Sequence, residues 1–284
     1  MLRAGPPWKG PLNVAYVESV SLLGGSTLSG NLHKEIISLL IHREFDADTN
    51  WLPELQELGI RGLLQENGYF NAVVHDGEIE VLASRPGWSS VAVTINVEEG
   101  LRYRLAGIRF AADDPQKNIQ FASQDLRARF PISDGELLVV SKLRDGLEAL
   151  KVLHGSNGYI DFVSEPNFEE DDNQQTIAVL IYLSLGLQYR VAQVEFRGLN
   201  AEPFRTLKHL SIPGEIFDNE KLKRFFAENQ PLLRCTAPEN LEVLRNIKEG
   251  TLRLIFHIQT CEQQLLRFLS CLQLRLTLLN LPQR

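Results

Sequence analysis

A segment with the composition of a metal site lies between residues 46 and 57, where acidic and amide side chains alternate as in a calcium-binding EF-hand loop. The match fails at two positions, because Trp51 stands where the loop requires glycine and Pro53 lies inside it. We therefore interpret Thr49 or Asn50 as a helix cap and predict no metal site here.

The remaining residues that could do chemistry do not form a recognisable motif. The six histidines are scattered, and the sequence contains no HExxH, GxSxG or GxxxxGK[ST] pattern. The glycine-rich stretch 24–30 lacks the lysine of a phosphate loop. Counting alone allows one disulfide, but no CxxC spacing indicates zinc or a redox site among Cys235, Cys261 and Cys271. The sequence predicts a protein without catalysis, metal or cofactor, and a His/Asp/Glu pocket formed by the fold would be needed to revive an enzyme hypothesis.

The composition is that of a folded, mildly acidic protein. The chain has 284 residues, 44% of them apolar and 23% charged, and a net charge of −7. This length suggests two or three domains, and the absence of a long basic stripe argues against nucleic-acid binding. The first ten residues lack the apolar core of a signal peptide, and no apolar window is long enough for a spanning helix. If the protein is exported, we expect its signal to be missing from this chain.

An internal repeat organises the sequence. Residues 100–110 (GLRYRLAGIRF) return at 186–196 as GLQYRVAQVEF, and Asn-Gly-Tyr at 67–69 returns at 157–159. A third pair joins 135–143 (GELLVVSKL) to 214–222 (GEIFDNEKL). Three independent pairs at offsets of 86, 90 and 79 residues indicate copies of one supersecondary unit.

Each copy has the same predicted order of elements, β-α-α-β-β. A strand rich in β-branched and aromatic residues opens the unit, and a short helix and then a longer helix follow it. Asn-Gly-Tyr ends the longer helix, with glycine in the left-handed conformation. Two strands with alternating apolar residues then form a hairpin. The third copy has Asn229-Gln-Pro231 in place of Asn-Gly-Tyr. The right-handed crossover rule predicts an α+β fold of three tandem modules, each with a three-stranded mixed sheet and both helices on one face.

The predicted boundaries follow from the repeat. We expect an N-terminal extension at 1–12 and a hydrophobic tail of unknown role at 261–284, where leucines alternate with polar residues. Between them we expect modules at 13–101, 102–187 and 188–260, the last of them divergent.

These motifs resemble the POTRA (polypeptide-transport-associated) domain, which occurs in tandem in outer-membrane assembly factors of the BamA and TamA type. The resemblance covers about 14–258. It implies a periplasmic scaffold that handles unfolded outer-membrane or exported polypeptides, or that docks a β-barrel or accessory assembly subunits. The family's β-barrel does not fit after Ile258, so we expect the modules without the barrel. The alternatives are a structural adaptor that binds partner proteins, as in cell-division proteins with one POTRA domain, and a fragment of a larger barrel protein.

Strand addition gives such a scaffold a physical means of binding. An exposed sheet edge pairs with an extended client through main-chain hydrogen bonds. We expect the edge to be the second strand of each module and predict peptide-binding residues at Tyr69, Phe70, Ala72, Val73, Tyr159, Ile160, Phe162 and Val163. The third module's edge is expected at 241–244.

Two further expectations concern the surroundings of these edges. The acidic run 169–172 is expected to be a solvated hairpin tip, with an acidic docking site as the alternative. The residues expected to fix the junctions between modules are Arg102, Tyr103, Tyr189 and Arg190.

Overall fold

A computed structural model describes residues 13–116, 118–197, 207, 210–229 and 241–257. Several sequence-based predictions fall outside these residues. They are the extension at 1–12, the tail at 261–284, the three cysteines, and most of the short helix expected near Asn200 in the third module.

The first sheet has four strands in the order β2-β1-β4-β3. They are β1 (Val14–Gly24), β2 (Glu44–Asp46), β3 (Val73–Arg85) and β4 (Trp88–Glu98). β1 runs parallel to β4, and β3 pairs antiparallel with β4 as the predicted hairpin. The prediction of a three-stranded sheet was therefore wrong for this module. The additional strand, β2, has only three residues and no apolar alternation, so the sequence pattern does not reveal it.

Helices cover one face of this sheet. The short helix α1 (Gly30–Ser38) begins at Ser29, whose hydroxyl accepts a hydrogen bond from the Leu32 amide at 3.3 Å. The longer helix consists of α2 (Trp51–Glu54), a π-helical segment (Leu55–Arg61) and α3 (Gly62–Glu66). A single apolar core joins the helices to the sheet; it includes Leu32, Ile36, Ile60, Leu64, Val91, Val93, Ile95 and Val97.

The other two sheets have three strands each. The second has the order β5-β7-β6, formed by β5 (Arg104–Ala112), β6 (Val163–Asp171) and β7 (Thr176–Ser184), with helices α4 (Ser123–Arg127) and α5 (Val140–Gly155). The third has the order β8-β10-β9, formed by β8 (Arg190–Arg197), β9 (Leu241–Asn246) and β10 (Thr251–His257), with helix α6 (Asn219–Glu228). β10 is parallel to β8 and antiparallel to β9, as the repeat predicts. The α+β class with three small mixed sheets is confirmed; the predicted module boundaries stay predictions.

Contacts between Cα atoms divide the chain into two compact units. The first comprises Met1–Phe110, Ser123–Gly146 and Pro166–Ile181, and the second comprises Ala111–Ala122, Leu147–Glu165 and Tyr182–Arg284. No helix within the described ranges is long and apolar enough to cross a bilayer. Below, the segments that carry the three sheets are called the first, second and third modules.

One polar side chain of α5 is buried among apolar residues. His154 is fully buried, its ring stacks on Phe162 with centroids 3.9 Å apart, and its Nδ1 lies 2.8 Å from the Leu150 carbonyl oxygen. Within the described part of the chain, the Nε2 atom has no hydrogen-bond partner. Burial lowers the pKa of this imidazole below its ordinary value of 6.5. Leu64 holds the equivalent position in the first module, three residues before the Asn-Gly-Tyr asparagine.

We predict that His154 makes the stability of the protein depend on pH. The unfolded chain takes up a proton near the ordinary pKa of 6.5, and the buried ring resists that proton, so the free energy of unfolding should fall as pH is lowered through 6.5. The slope contributed by one proton is at most about 1.4 kcal/mol per pH unit. His154→Leu, which copies Leu64, should remove this contribution in urea unfolding measured between about pH 5 and 8.

His33→Gln is the matched control, because it changes a partly exposed histidine of α1 and leaves His154 in place. Equal pH slopes for the wild type and the His154→Leu variant would contradict the assignment.

Candidate functional site: module junctions and sheet edges

The same main-chain hydrogen bond links each Asn-Gly-Tyr turn to the strand that opens the following module. The amide of Tyr103 donates to the Gly68 carbonyl oxygen, and the amide of Tyr189 donates to the Gly158 carbonyl oxygen, both at 2.9 Å. We call these two sites the first and the second junction. Each lies within one compact unit.

Side chains on both sides reinforce this bond. The Asn67 amide group donates to the Leu63 carbonyl in its own helix, and the Asn67 carbonyl accepts from Arg102 Nε at 2.8 Å. At the second junction Asn157 donates to the Leu153 carbonyl in the same way, and its carbonyl accepts from Gln188 Nε2 at 3.0 Å. The asparagine thus closes the helix while its carbonyl holds the next segment.

The glycine of each turn is required by its backbone. Gly68 and Gly158 have φ of 86° and 85°, the left-handed region that the Asn-Gly-Tyr motif predicted. The space around them is also filled. A Cβ atom at Gly68 would lie 2.5 Å from Leu137 Cδ1, and one at Gly158 would lie 2.7 Å from the Tyr189 carbonyl oxygen.

The strands β5 and β8 also form main-chain hydrogen bonds with the Gly-Glu motif of their own module. Leu105 donates its amide to the Glu136 carbonyl at 2.9 Å, and Val191 donates to the Glu215 carbonyl at 2.8 Å. Hydrogen bonds from Lys142 and Lys221 are the main cause that lowers the pKa of the Glu136 and Glu215 carboxyls, respectively.

Tyr103 is buried at the first junction, where it meets two acidic side chains. Its hydroxyl donates to Asp172 Oδ1 at 2.8 Å, and Glu170 lies 3.5 Å away. Burial first, and then the hydrogen bond and charge of Asp172, raise the pKa of Tyr103 from 10.0 to about 12. Tyr189 is likewise buried, and burial together with the charge of Asp161 raises its pKa.

The acidic run 169–172 is therefore not simply a solvated tip. Asp172 and Glu170 contact Tyr103 as above, Glu170 accepts from the Asn71 amide at 2.6 Å, and Glu169 pairs with Arg109 at 2.7 Å. Asp171 accepts from the Gln174 amide at 3.0 Å, so all four carboxylates have partners in the protein. The sequence offered no signal for this arrangement, because Asn71 and Tyr103 are distant from the run in sequence.

Arg190, predicted at a junction, bonds within its own module. Its amide donates to the Gly250 carbonyl at 2.9 Å, and Nη1 donates to the Gly214 carbonyl at 3.1 Å. The repeat aligns Arg190 with Arg104, which donates to the Gly135 carbonyl, and aligns Arg102 with Gln188. The residues that reach the preceding turn through their side chains are thus Arg102 and Gln188.

Six of the eight residues predicted to bind peptide do not lie on strands, which corrects their placement. β3 begins at Val73 and β6 at Val163, both with exposed side chains. The earlier residues form the turns that follow the helices, because the left-handed glycine and the junction bond occupy the chain there. Their side chains are buried or partly buried: Tyr69, Phe70, Ala72, Tyr159, Ile160 and Phe162.

Two of these turn residues pack on the following module. The Phe70 ring lies 4.7 Å from the Phe168 ring of β6, measured between centroids. Ile160 packs against the core of the third module, which includes Tyr189 and Phe217. Both side chains therefore contribute to junctions, where we had expected them to face clients.

The first strand of the hairpin in every module does lie at a sheet edge, as predicted; these strands are β3, β6 and β9. The three edges differ in composition. β3 is the longest, with 13 residues, and exposes Ile79, Val81 and Leu82. β6 carries Pro166 among acidic residues, and β9 has only six residues.

A groove lies between β3 and the start of the longer helix. It is lined by Thr49, Asn50, Trp51, Leu52, Pro53, Gln56, Asp76, Gly77 and Ile79. β3 has an irregular register between His75 and Glu78, and Gln56 Nε2 donates to the His75 carbonyl at 2.6 Å beside it. Sequence reasoning missed Ile79, Val81 and Leu82 as edge residues, although the alternating run had included this stretch.

Within the described ranges, no group of three His, Cys, Asp or Glu side chains is placed to hold a metal ion. The segment 46–57 instead starts a helix: Asn50 is the N-cap residue of α2, without a side-chain capping bond, and the Thr49 hydroxyl donates to the Asp46 carbonyl.

Comparison with known proteins supports the fold. No family model matches the chain. The crystal structure of POTRA domains 3–5 of BamA from Haemophilus influenzae is similar with a TM-score of 0.63 and 20% identity, over 87% of this chain and 97% of that one. POTRA domains 1–3 of Omp85 from Anabaena match with a TM-score of 0.38 and 14% identity, over 88% of this chain and 98% of that one. The first of these similarities confirms the resemblance to tandem POTRA domains at the level of the fold.

A curated relative has a similar sequence. The putative outer membrane protein assembly factor of Treponema pallidum (strain Nichols) is 21% identical over 210 residues, which cover 69% of this chain and 24% of that protein. The chain thus spans about a quarter of the length of this relative.

We predict that the junction glycines cannot be replaced without loss of stability. Gly158→Ala should lower the free energy of unfolding by about 1–3 kcal/mol, because alanine disfavours the left-handed backbone and its Cβ would meet a carbonyl oxygen. Gly68→Ala should have a smaller effect, since Leu137 can move. Urea unfolding measures both.

Gly30→Ala is the control, because Gly30 begins α1 and has no atom within 4 Å of a Cβ built there. This variant should equal or exceed the wild type in stability. A Gly158→Ala variant as stable as Gly30→Ala would refute the requirement for glycine at the junction.

We also predict that one tyrosine of the folded protein, Tyr103, loses its proton only at a pH well above the usual range for tyrosine. In a spectrophotometric titration, Tyr103→Phe should remove a component that titrates near the pKa of about 12. Stability should fall as pH rises above 10.0, since the unfolded phenol loses its proton there and the folded one retains it. Tyr182→Phe, at a more exposed tyrosine, should leave the late component in place. Loss of a component near pH 10.0 in the Tyr103→Phe protein would contradict the prediction.

Proposed function

We propose that this chain is a periplasmic scaffold in outer-membrane protein assembly, and that it binds extended polypeptides by strand addition at the outer edge of β3. The observation that carries the proposal is this edge. Its 13 residues pair with β4 on one side, and β3 ends the strand order of the first sheet on the other side. Main-chain groups along such an edge can bind a guest strand of almost any sequence.

The exposed side chains of β3 suit it to this use. Ile79, Val81 and Leu82 are 45%, 59% and 47% exposed, so an added strand would cover apolar surface as well as complete a ladder. A long edge with exposed apolar residues is a liability unless it serves binding, because it invites uncontrolled pairing.

β6 is less suited to clients. Pro166 lacks an amide donor, and the acidic end of the strand is engaged by Asn71 and Arg109 at the first junction and on β5. β9 is short, although Val243 and Leu244 are exposed on it. We therefore assign client binding first to β3, and we assign Arg102, Tyr103 and Tyr189 to fixing the junctions.

The comparisons support the setting. The fold is that of POTRA domains from BamA, and the curated relative bears the name of an outer membrane protein assembly factor. From these we infer a periplasmic location, unfolded outer-membrane or exported polypeptides as clients, and a barrel or accessory assembly subunits as further partners. No catalytic role is part of the proposal.

Cross-linking tests the proposal directly. A photoreactive residue at position 82, on the β3 edge, should capture a urea-unfolded outer-membrane protein when that protein is diluted into the purified scaffold. The matched control places the same residue at position 58, where Leu58 is 72% exposed but lies on the helical segment. We expect capture at position 82 and little at position 58.

The other outcomes are equally informative. Equal capture at the two positions would show unspecific adhesion, and no capture at position 82 would overturn strand addition at β3. If position 82 in cells captures one folded partner in stoichiometric amount and no unfolded clients, the protein acts as an adaptor.

A further inference from the structure

We propose that the β3 edge selects client segments in which apolar and basic residues alternate. This inference rests on the proposed function, since it names the class of strand that the same edge would bind. It follows from the different chemistry of the two faces of β3.

The pairing of β3 with β4 assigns residues to these faces. Ile79 lies opposite Val93 and Val81 lies opposite Val91, and both valines belong to the core under the helices. Directly opposed residues of an antiparallel pair have side chains on the same face. Ile79 and Val81 are therefore on the helix side of the sheet.

The intervening residues are on the other face. Glu78 lies opposite Thr94 and Glu80 lies opposite Ala92, and neither opposed residue is charged. A strand added to β3 would continue the same alternation. Its residues on the helix side would meet Ile79 and Val81, and they would lie beside the groove that Leu52 and Ile79 help to line.

Glu78 and Glu80 carry charge that the described residues do not pair. Among the described residues, neither Glu78 nor Glu80 takes part in an ion pair or side-chain hydrogen bond, whereas Glu169 of β6 pairs with Arg109. Both side chains are exposed at the edge. Lysine or arginine at two alternate positions of a guest strand would lie beside them, and an acidic guest would be repelled.

The partner that fits is thus a strand with apolar residues on one face and basic residues on the other. Charge complementarity supplies the selection, and the main chain supplies the pairing itself. Such selection by exposed charges should weaken as salt screens them.

Three labelled peptides of about nine residues, the length of a membrane-barrel strand, test this inference. They share apolar residues at alternate positions and carry lysine, glutamine or glutamate between them. Fluorescence anisotropy with the full chain at about 0.01 M ionic strength should show the lysine peptide binding about five-fold more tightly than the glutamine peptide, and the glutamate peptide binding most weakly. At about 1 M salt the three affinities should converge.

Charge reversal on the protein completes the test. The double variant Glu78→Lys, Glu80→Lys should prefer the glutamate peptide. Its thermal unfolding should match the wild type, because neither carboxylate has a partner to lose in the part of the chain that the structure describes. The control variant Glu35→Lys, Glu54→Lys makes the same change in net charge at exposed glutamates on α1 and α2, and it should keep the preference for lysine.

The outcomes separate this inference from the proposed function. Equal binding of the three peptides, or an unchanged preference in the Glu78/Glu80 variant, overturns the charge selection and leaves strand addition standing. Reversal in the control variant also overturns it, since net charge would then be the cause. Failure of all three peptides to bind overturns strand addition at β3 itself.

Discussion

The described structure depends on one repeated constraint: the residue just before β5, and likewise the residue just before β8, donates its amide to the carbonyl of a left-handed glycine. A helix must end with unpaired carbonyl groups, and here one of the residues just beyond the helix presents its carbonyl to the next module. Glycine makes this possible because it enters the left-handed region without strain. The consequence is that a helix end, which commonly contacts solvent, becomes the attachment point for a new sheet.

This constraint also determines which part of each edge strand is free. The residues after the glycine, from Tyr69 to Ala72 and from Tyr159 to Phe162, are held in a turn whose side chains pack into the module or against the next one. The chain can adopt extended, unpaired backbone only beyond that turn. In β3 the free part extends further than in the other modules, because the strand continues to Arg85 before the hairpin turns back.

The fold could be predicted from sequence because the patterns that indicate it are short, and because they recur along the chain. Asn-Gly-Tyr marks the helix ends, apolar alternation marks the hairpins, and the crossover rule orders the strands. The candidate site could be predicted only in part. Tyr69 and Phe70 are residue types common in strands, but their burial depends on contacts with segments about 40 to 100 residues away, which no local pattern reports. The same reason applies to the acidic run, whose partners Asn71 and Tyr103 are distant in sequence.

The first two edge strands solve the problem of exposed backbone in opposite ways. β6 combines Pro166 with acidic residues that already bond within the protein: Glu169 pairs with Arg109, and Glu170 accepts a hydrogen bond from Asn71. β3 has no proline, and its central carboxylates, Glu78 and Glu80, lack partners in the described part of the chain. Unpaired charge beside exposed apolar residues keeps such an edge soluble when empty and makes it unattractive to uncharged strands that would aggregate. We propose that the two carboxylates serve both purposes: they oppose uncontrolled pairing of the open edge, and they favour basic guest strands over neutral or acidic ones.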